Sequence, residues 1–169
     1  MRSFVLAVAA VLLLAACTDD PEPIEPTHTR EAPAMPPQAK EDSPEGVATF
    51  VQHYVDVFNY ASSSGQVKEL ARLSADSCKG CESYIDLFRS TYDSGGYFRG
   101  GEWKLSDYEL EVAKRSTIVF VHVDAPAGTT RANRSAPKTS TAPEDSEIRF
   151  EVDTTNDEYQ VLRFERTAQ

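Results

Sequence analysis

The chain has 169 residues, with 17 Lys and Arg against 27 Asp and Glu, a net charge of −10. So acidic a surface excludes partners that are bound through phosphate backbones, because such binding rests on Lys and Arg displacing counterions; no nucleic acid is expected. It also opposes docking on anionic lipid head groups, and the length suits one domain of about 100–150 residues with tails.

Residues 1–16 read as a secretory leader. Arg2 gives a charged start, Phe4 to Ala16 is an unbroken apolar run, and small residues precede Cys17. As a helix the run rises only ~20 Å, too short for a hydrocarbon core of ~30 Å. The ending Leu14-Ala15-Ala16-Cys17 resembles a bacterial lipoprotein signal. That resemblance implies that Cys17 is lipidated, that the leader is removed, and that acyl chains hold the protein on the extracytoplasmic face of the cell membrane.

Residues 17–43 read as the lipidated Cys and a disordered tether. Pro21, Pro23, Pro26, Pro33, Pro36 and Pro37 fall there among Glu, Asp, Ala and Thr. Such a stretch buries too little apolar area to offset its ordering entropy. Extended in the polyproline form it would reach roughly 80 Å, which suits a domain held within or beyond a cell wall.

Folding is expected to begin at Ser43-Pro44-Glu45 and to make one domain over 44–169. Ser43 suits an N-cap, Pro44 the first helical position, and Glu45 the positive end of the helix. Val47, Phe50, Val51, Tyr54, Val55 and Phe58 follow at helical spacing, with Thr49, Gln52, Asp56 and Asn59 opposite. Ser62 to Gly65 ends that helix. A short second helix is predicted over about 66–73, burying Val67, Leu70 and Leu73. A third starts near Cys78–Cys81 and carries Tyr84, Ile85, Phe88 and Tyr92 until Gly95-Gly96 stops it.

Strands follow. Tyr108, Leu110 and Val112 alternate with Glu109 and Glu111, while Ile118 to Val123 is apolar on both parities, as in a central strand. Ile148, Phe150 and Val152 alternate with Glu147, Arg149 and Glu151, and 159–166 makes the last strand. Between them 126–146 is rich in Ser, Thr, Ala and Pro, and is expected to be a flexible, disordered loop. Its Arg131, Arg134 and Lys138 form a small basic patch, either a docking point or simply solvated.

Cys78-Lys79-Gly80-Cys81 is the motif with chemical content. Outside the cytoplasm, with Cys17 acylated, the two thiols are expected to pair with each other. A redox reading competes, since a thiol at a helix start beside Lys79 would have a lowered pKa. A thioredoxin-type site follows a strand, however, and here a helix precedes. Two thiolates alone would leave zinc half-ligated, so no metal site is expected. His28 lies in the tether, His53 beside the apolar stripe of the first helix, and His122 on a strand face with Ile118 and Phe120. No phosphate-binding glycine loop, zinc signature or serine elbow is present, and no cofactor or catalytic residue is assigned.

Three helices followed by a four-stranded antiparallel meander imply an α+β domain with the helices packed on one sheet face. The order resembles the nuclear transport factor 2-like (SnoaL-like) fold, with a cystatin-like helix-on-sheet fold as the alternative. The first implies a bent, cone-like sheet with a pocket at its open end, lined here by Tyr54, Phe58, Tyr84, Trp103 and Tyr108. Pro44-Glu45-Gly46, Phe50, Tyr54, Phe58-Asn59-Tyr60-Ala61, Ser77-Cys78, Cys81, Tyr84 and Gly96-Tyr97 with Gly100-Gly101 resemble actinobacterial lipoproteins of an uncharacterised-domain family. The resemblance implies location and disulfide but no mechanism. The expectation is therefore a non-enzymatic binding or accessory domain of the cell envelope, its partner an envelope protein or a small apolar ligand. The alternatives are a thiol–disulfide oxidoreductase using Cys78 and Cys81, or an acid–base enzyme using His53 or Tyr54 in the pocket.

Overall fold

Ser43 caps the first helix as its sequence position predicts, its Oγ accepting from the Gly46 amide at 3.0 Å. The computed structural model describes residues 31–155 and 158–167; the expected leader, Cys17, His28 and most of the tether lie outside them. Helix α1 runs over Pro44–Ser64 and closes on Gly65, whose φ of 74° is the left-handed cap conformation. Helices α2 (Lys68–Arg72) and α3 (Lys79–Asp93) follow. Among the described residues no helix is long and apolar enough to cross a membrane.

Among the described residues seven strands follow: β1 (Tyr97–Gly100), β2 (Lys104–Val112), β3 (Ser116–Ala125), β4 (Gly128–Arg131), β5 (Thr139–Thr141), β6 (Glu144–Asp153) and β7 (Gln160–Arg166). The main sheet has the order β2-β3-β6-β7 and is antiparallel throughout, the meander the sequence predicts. A register shift between Ser106 and Glu109, with Asp107 at φ 51°, makes a bulge in β2.

One face of this sheet is dry. Val119, Val121, Val123, Ile148, Phe150, Val152 and Val161 are fully buried against α1, whose Phe50, Val51, Tyr54 and Phe58 supply the other half of the core. The opposite face is wet and charged. Arg149 bridges Glu151 at 3.1 Å and Glu165 at 3.3 Å, and Arg163 lies 3.7 Å from Glu151. The α+β class with helices on one sheet face is thus what the chain adopts.

Two expectations are corrected. Residues 126–146 are not a disordered loop: they contain β4 and β5, which join β1 in a second sheet of order β1-β4-β5. Thr129, Thr130, Thr139 and Thr141 carry the strand propensity here, and a search for apolar anchors overlooks it. The tether also ends earlier than expected. Residues 37–40 form a 3-10 turn, Ala39 is buried, and Met35 packs on the core. The Tyr159 hydroxyl donates to the Glu41 carbonyl at 2.8 Å. Gly46 lets this segment close on α1, since a Cβ there would lie 2.1 Å from the Glu41 oxygen.

Candidate functional site

A cleft of about 190 Å³ opens between α1, α3 and the small sheet. Phe58 of α1 is the hub of its wall. Its ring centroid lies 5.0 Å from Tyr84, 5.1 Å from Phe88 and 4.7 Å from Trp103. Phe98 of β1 packs on Phe88 at 5.5 Å and closes the far side, while Leu87 stands at the mouth, 46% exposed. Ser62, Thr129, Thr141 and the backbone of Gly100 and Gly101 supply the polar rim.

Of the five residues expected to line a pocket, Phe58, Tyr84 and Trp103 do so. Tyr54 and Tyr108 do not. Tyr54 is fully buried in the core, its hydroxyl held by the Ser74 hydroxyl at 3.0 Å, and burial drives its pKa well above the ordinary tyrosine value. Tyr108 donates to Gln52 Oε1 at 2.8 Å across the helix–sheet seam; burial, then the nearby Asp56 carboxylate, push its pKa up to about 12. The helical stripe that carries both Tyr54 and Phe58 is too long to face one cavity, so its N-terminal half meets the sheet.

Asn59 is the residue that the sequence pattern misplaces. Its position on the polar side of α1 suggests solvent, yet its Nδ2 donates to the Trp103 carbonyl and its Oδ1 accepts from the Trp103 amide, both at 2.9 Å. The side chain mimics a strand partner and fixes the cleft's tryptophan. Asn59→Ala leaves both backbone groups unpaired and is expected to cost roughly 2 kcal/mol in urea unfolding, with a shift in Trp103 fluorescence.

The ionisable side chains lining the cleft are Tyr84 and Glu144, and the Glu144 carboxylate is engaged by Arg166 at 2.7 Å. Neither histidine that the structure describes lies in it. His53 is buried on α1, 1% exposed, and among the described residues neither ring nitrogen has a hydrogen-bond partner. Burial, the dominant influence, lowers its pKa; Asp56 and Glu69 pull the other way. His122 sits on the wet face of β3, 3.5 Å from Asp145. An acid–base role in the cleft for His53 or Tyr54 therefore has no geometric support.

Cys78 and Cys81 form a disulfide across the start of α3, and both residues are 1% exposed. Cys78 is the N-cap, its Sγ accepting from the Cys81 amide at 3.3 Å. Exchange needs a thiolate to reach a sulfur, and these sulfurs are covered, so the bond serves to pin the helix start. Among the described residues no group of His, Cys, Asp or Glu is arranged to hold a metal ion. Replacing both cysteines by serine is expected to lower stability by about 2 kcal/mol, the worth of so short a loop, in urea unfolding. The cleft geometry should survive, as read by the Trp103 emission maximum.

A helical layer packed over one face of an antiparallel meander, with an aromatic cleft at one end, defines an α+β domain. The chain belongs to a family of unknown function, DUF6318, which it matches over residues 26–165. No curated protein matches it. Among solved structures it is similar to the intermembrane space region of the chloroplast protein ARC6, with 10% identity and a TM-score of 0.55. That match covers 75% of this chain and 98% of the other. A member of the NTF2-like family from Streptomyces avermitilis shares 14% identity at a TM-score of 0.48, covering 75% and 99%. A protein of unknown function with a cystatin-like fold from Nostoc punctiforme shares 10% at 0.43, covering 69% and 86%. At these identities the likeness concerns the fold alone.

Proposed function

We propose that this protein is a lipid-anchored, extracytoplasmic binding domain that holds a small apolar ligand in the aromatic cleft. The observation that carries the reading is the cleft's wall. Phe58, Tyr84, Phe88, Phe98 and Trp103 present ring faces and edges, and the one carboxylate present is already paired. Such a lining favours apolar surface over charge transfer. A cavity of about 190 Å³ suits a group of one or two rings, since a cavity of roughly 150 Å³ takes benzene.

Trp103 is the chain's single tryptophan and lines the cleft, so its emission reports occupancy directly. Titration with naphthalene as probe is expected to give a saturable change in that emission, weakened by Leu87→Glu at the exposed mouth. A linear, unsaturable response would count against a binding cleft.

The anchoring rests on the Leu14-Ala15-Ala16-Cys17 pattern. Cys17→Ser is expected to release the protein from the membrane fraction or to leave its leader uncleaved. A variant still processed and membrane-bound would refute the lipid anchor.

A further inference from the structure

The small sheet differs in charge from the rest of the molecule. Residues 95–101 and 126–142, which form β1, β4, β5 and their connections, contain Arg99, Arg131, Arg134 and Lys138 and no Asp or Glu, in a chain of net charge −10. Register places three of these cations on one side. Tyr97 pairs with Arg131, and Arg99 lies two residues along β1 on the same face. The β4–β5 pairing ends at Thr130 with Thr139, and the next residue on each side of that pair, Arg131 and Lys138, carries a cation just beyond it. Phe98, of opposite parity, points inward to Phe88 and Tyr92, so the cationic side faces outward.

The cations are held in place without carboxylates. The Arg99 guanidinium lies 4.6 Å from the centre of the Tyr97 ring. Arg131 Nε donates to the Ala136 carbonyl at 3.1 Å. Asn133 Oδ1 accepts from the Ser135 and Ala136 amides, and the Arg134 amide donates to the Ser94 carbonyl. Elsewhere Arg72, Arg89, Arg149 and Arg166 each sit on a carboxylate; among the described residues Arg99, Arg131, Arg134 and Lys138 do not.

Beside this face runs an open edge. Among the described residues β5 pairs with β4 on one side and with no strand on the other, and its residues Thr139, Ser140 and Thr141 are all exposed. An edge strand offers a row of amides and carbonyls that an extended peptide can pair with. We infer that the outer face of the small sheet and the β5 edge form a docking site for an extended acidic segment of a partner protein. The segment adds as a strand beside β5, with the carboxylates of alternate residues over Lys138 and within reach of Arg131. A peptide is favoured over a lipid surface or nucleic acid because it alone uses the backbone edge. A chain of net charge −10 also repels large anionic surfaces as a whole.

The test uses the full chain and a fluorescein-labelled alternating Thr-Glu decapeptide, followed by anisotropy. Saturable binding is expected at about 50 mM salt, weakening several-fold at about 300 mM. Arg131→Glu combined with Lys138→Glu should weaken it by about tenfold or more, and Lys138→Glu alone, at an exposed position beside the β5 edge, should weaken it several-fold if the double variant folds poorly. The Thr-Gln peptide, and the Thr-Glu peptide N-methylated at alternate residues, should not bind. Failure of the Thr-Glu peptide to bind, equal binding of its N-methylated form, or unchanged binding by the charge-reversed variants would overturn the inference. So would capture by phosphatidylglycerol vesicles in place of the peptide, which would assign the patch to a membrane surface.

Discussion

Replacing Gly80 with alanine is expected to lower the stability of the domain by about 2–3 kcal/mol, at the upper end of overpacking costs. Gly80 sits in the first turn of α3 between the disulfide-bonded Cys78 and Cys81, where that turn meets β7. A Cβ built there would stand 2.1 Å from the Phe164 carbonyl oxygen, a backbone atom. Neither side can yield cheaply. The helix start is tied by the disulfide, and Phe164 is paired with Phe150 in the sheet. On helix propensity alone alanine would stabilise by up to about 1 kcal/mol, so the sign of the effect is diagnostic. Urea unfolding of Gly80→Ala against Ser83→Ala, a change on the exposed side of the same helix, makes the comparison. Equal midpoints would mean that α3 does not rest on β7 as described.

The second large effect concerns His53. Both ring nitrogens are buried without partners among the described residues, so the imidazole is tolerated only when neutral, and burial lowers its pKa from the ordinary 6.5. The unfolded chain then binds the proton more readily than the folded one. Stability is accordingly full above pH ~6.5 and is lost as the pH falls through the lower folded-state value. His53→Leu removes two unsatisfied buried polar atoms and is expected to raise stability at neutral pH by roughly 1–3 kcal/mol. It should also flatten the stability profile below pH ~6.5. His122→Gln, on the wet sheet face beside Asp145, serves as the control. A wild-type stability that does not fall between neutral and mildly acidic pH would show that the ring is solvated after all.

Much of the frame was legible in the residues, and the reasons are physical. Helix α1 combines a capping serine, a proline at the first position and an apolar stripe, three signals that agree. The main sheet announces itself through alternation in β6 and a doubly apolar β3 flanked on both sides. The small sheet was hidden because its strands are short and made of Thr, Ser, Gly and Arg, whose pairing depends on β1 being brought back by two glycine turns. The docked segment before Ser43 was hidden by its prolines, since composition reports what a stretch can bury and Ala39 needs little. For the cleft, the resemblance to a pocketed fold gathered Phe58, Tyr84 and Trp103, which do line it. It could not separate Tyr54 and Tyr108 from them, because position along a helix or strand decides which of two layers a residue meets. Asn59 gave no signal at all: an asparagine on a polar helix face looks like any solvated side chain until Trp103 arrives opposite it.

The proposed ligand-holding role of the aromatic cleft is tested most directly by mass. The protein purified from its source host would be weighed under native and then denaturing conditions. A ligand-holding cleft gives an added mass in the native spectrum that disappears on denaturation and is absent from a Leu87→Glu preparation. The same bare mass under both conditions would contradict it.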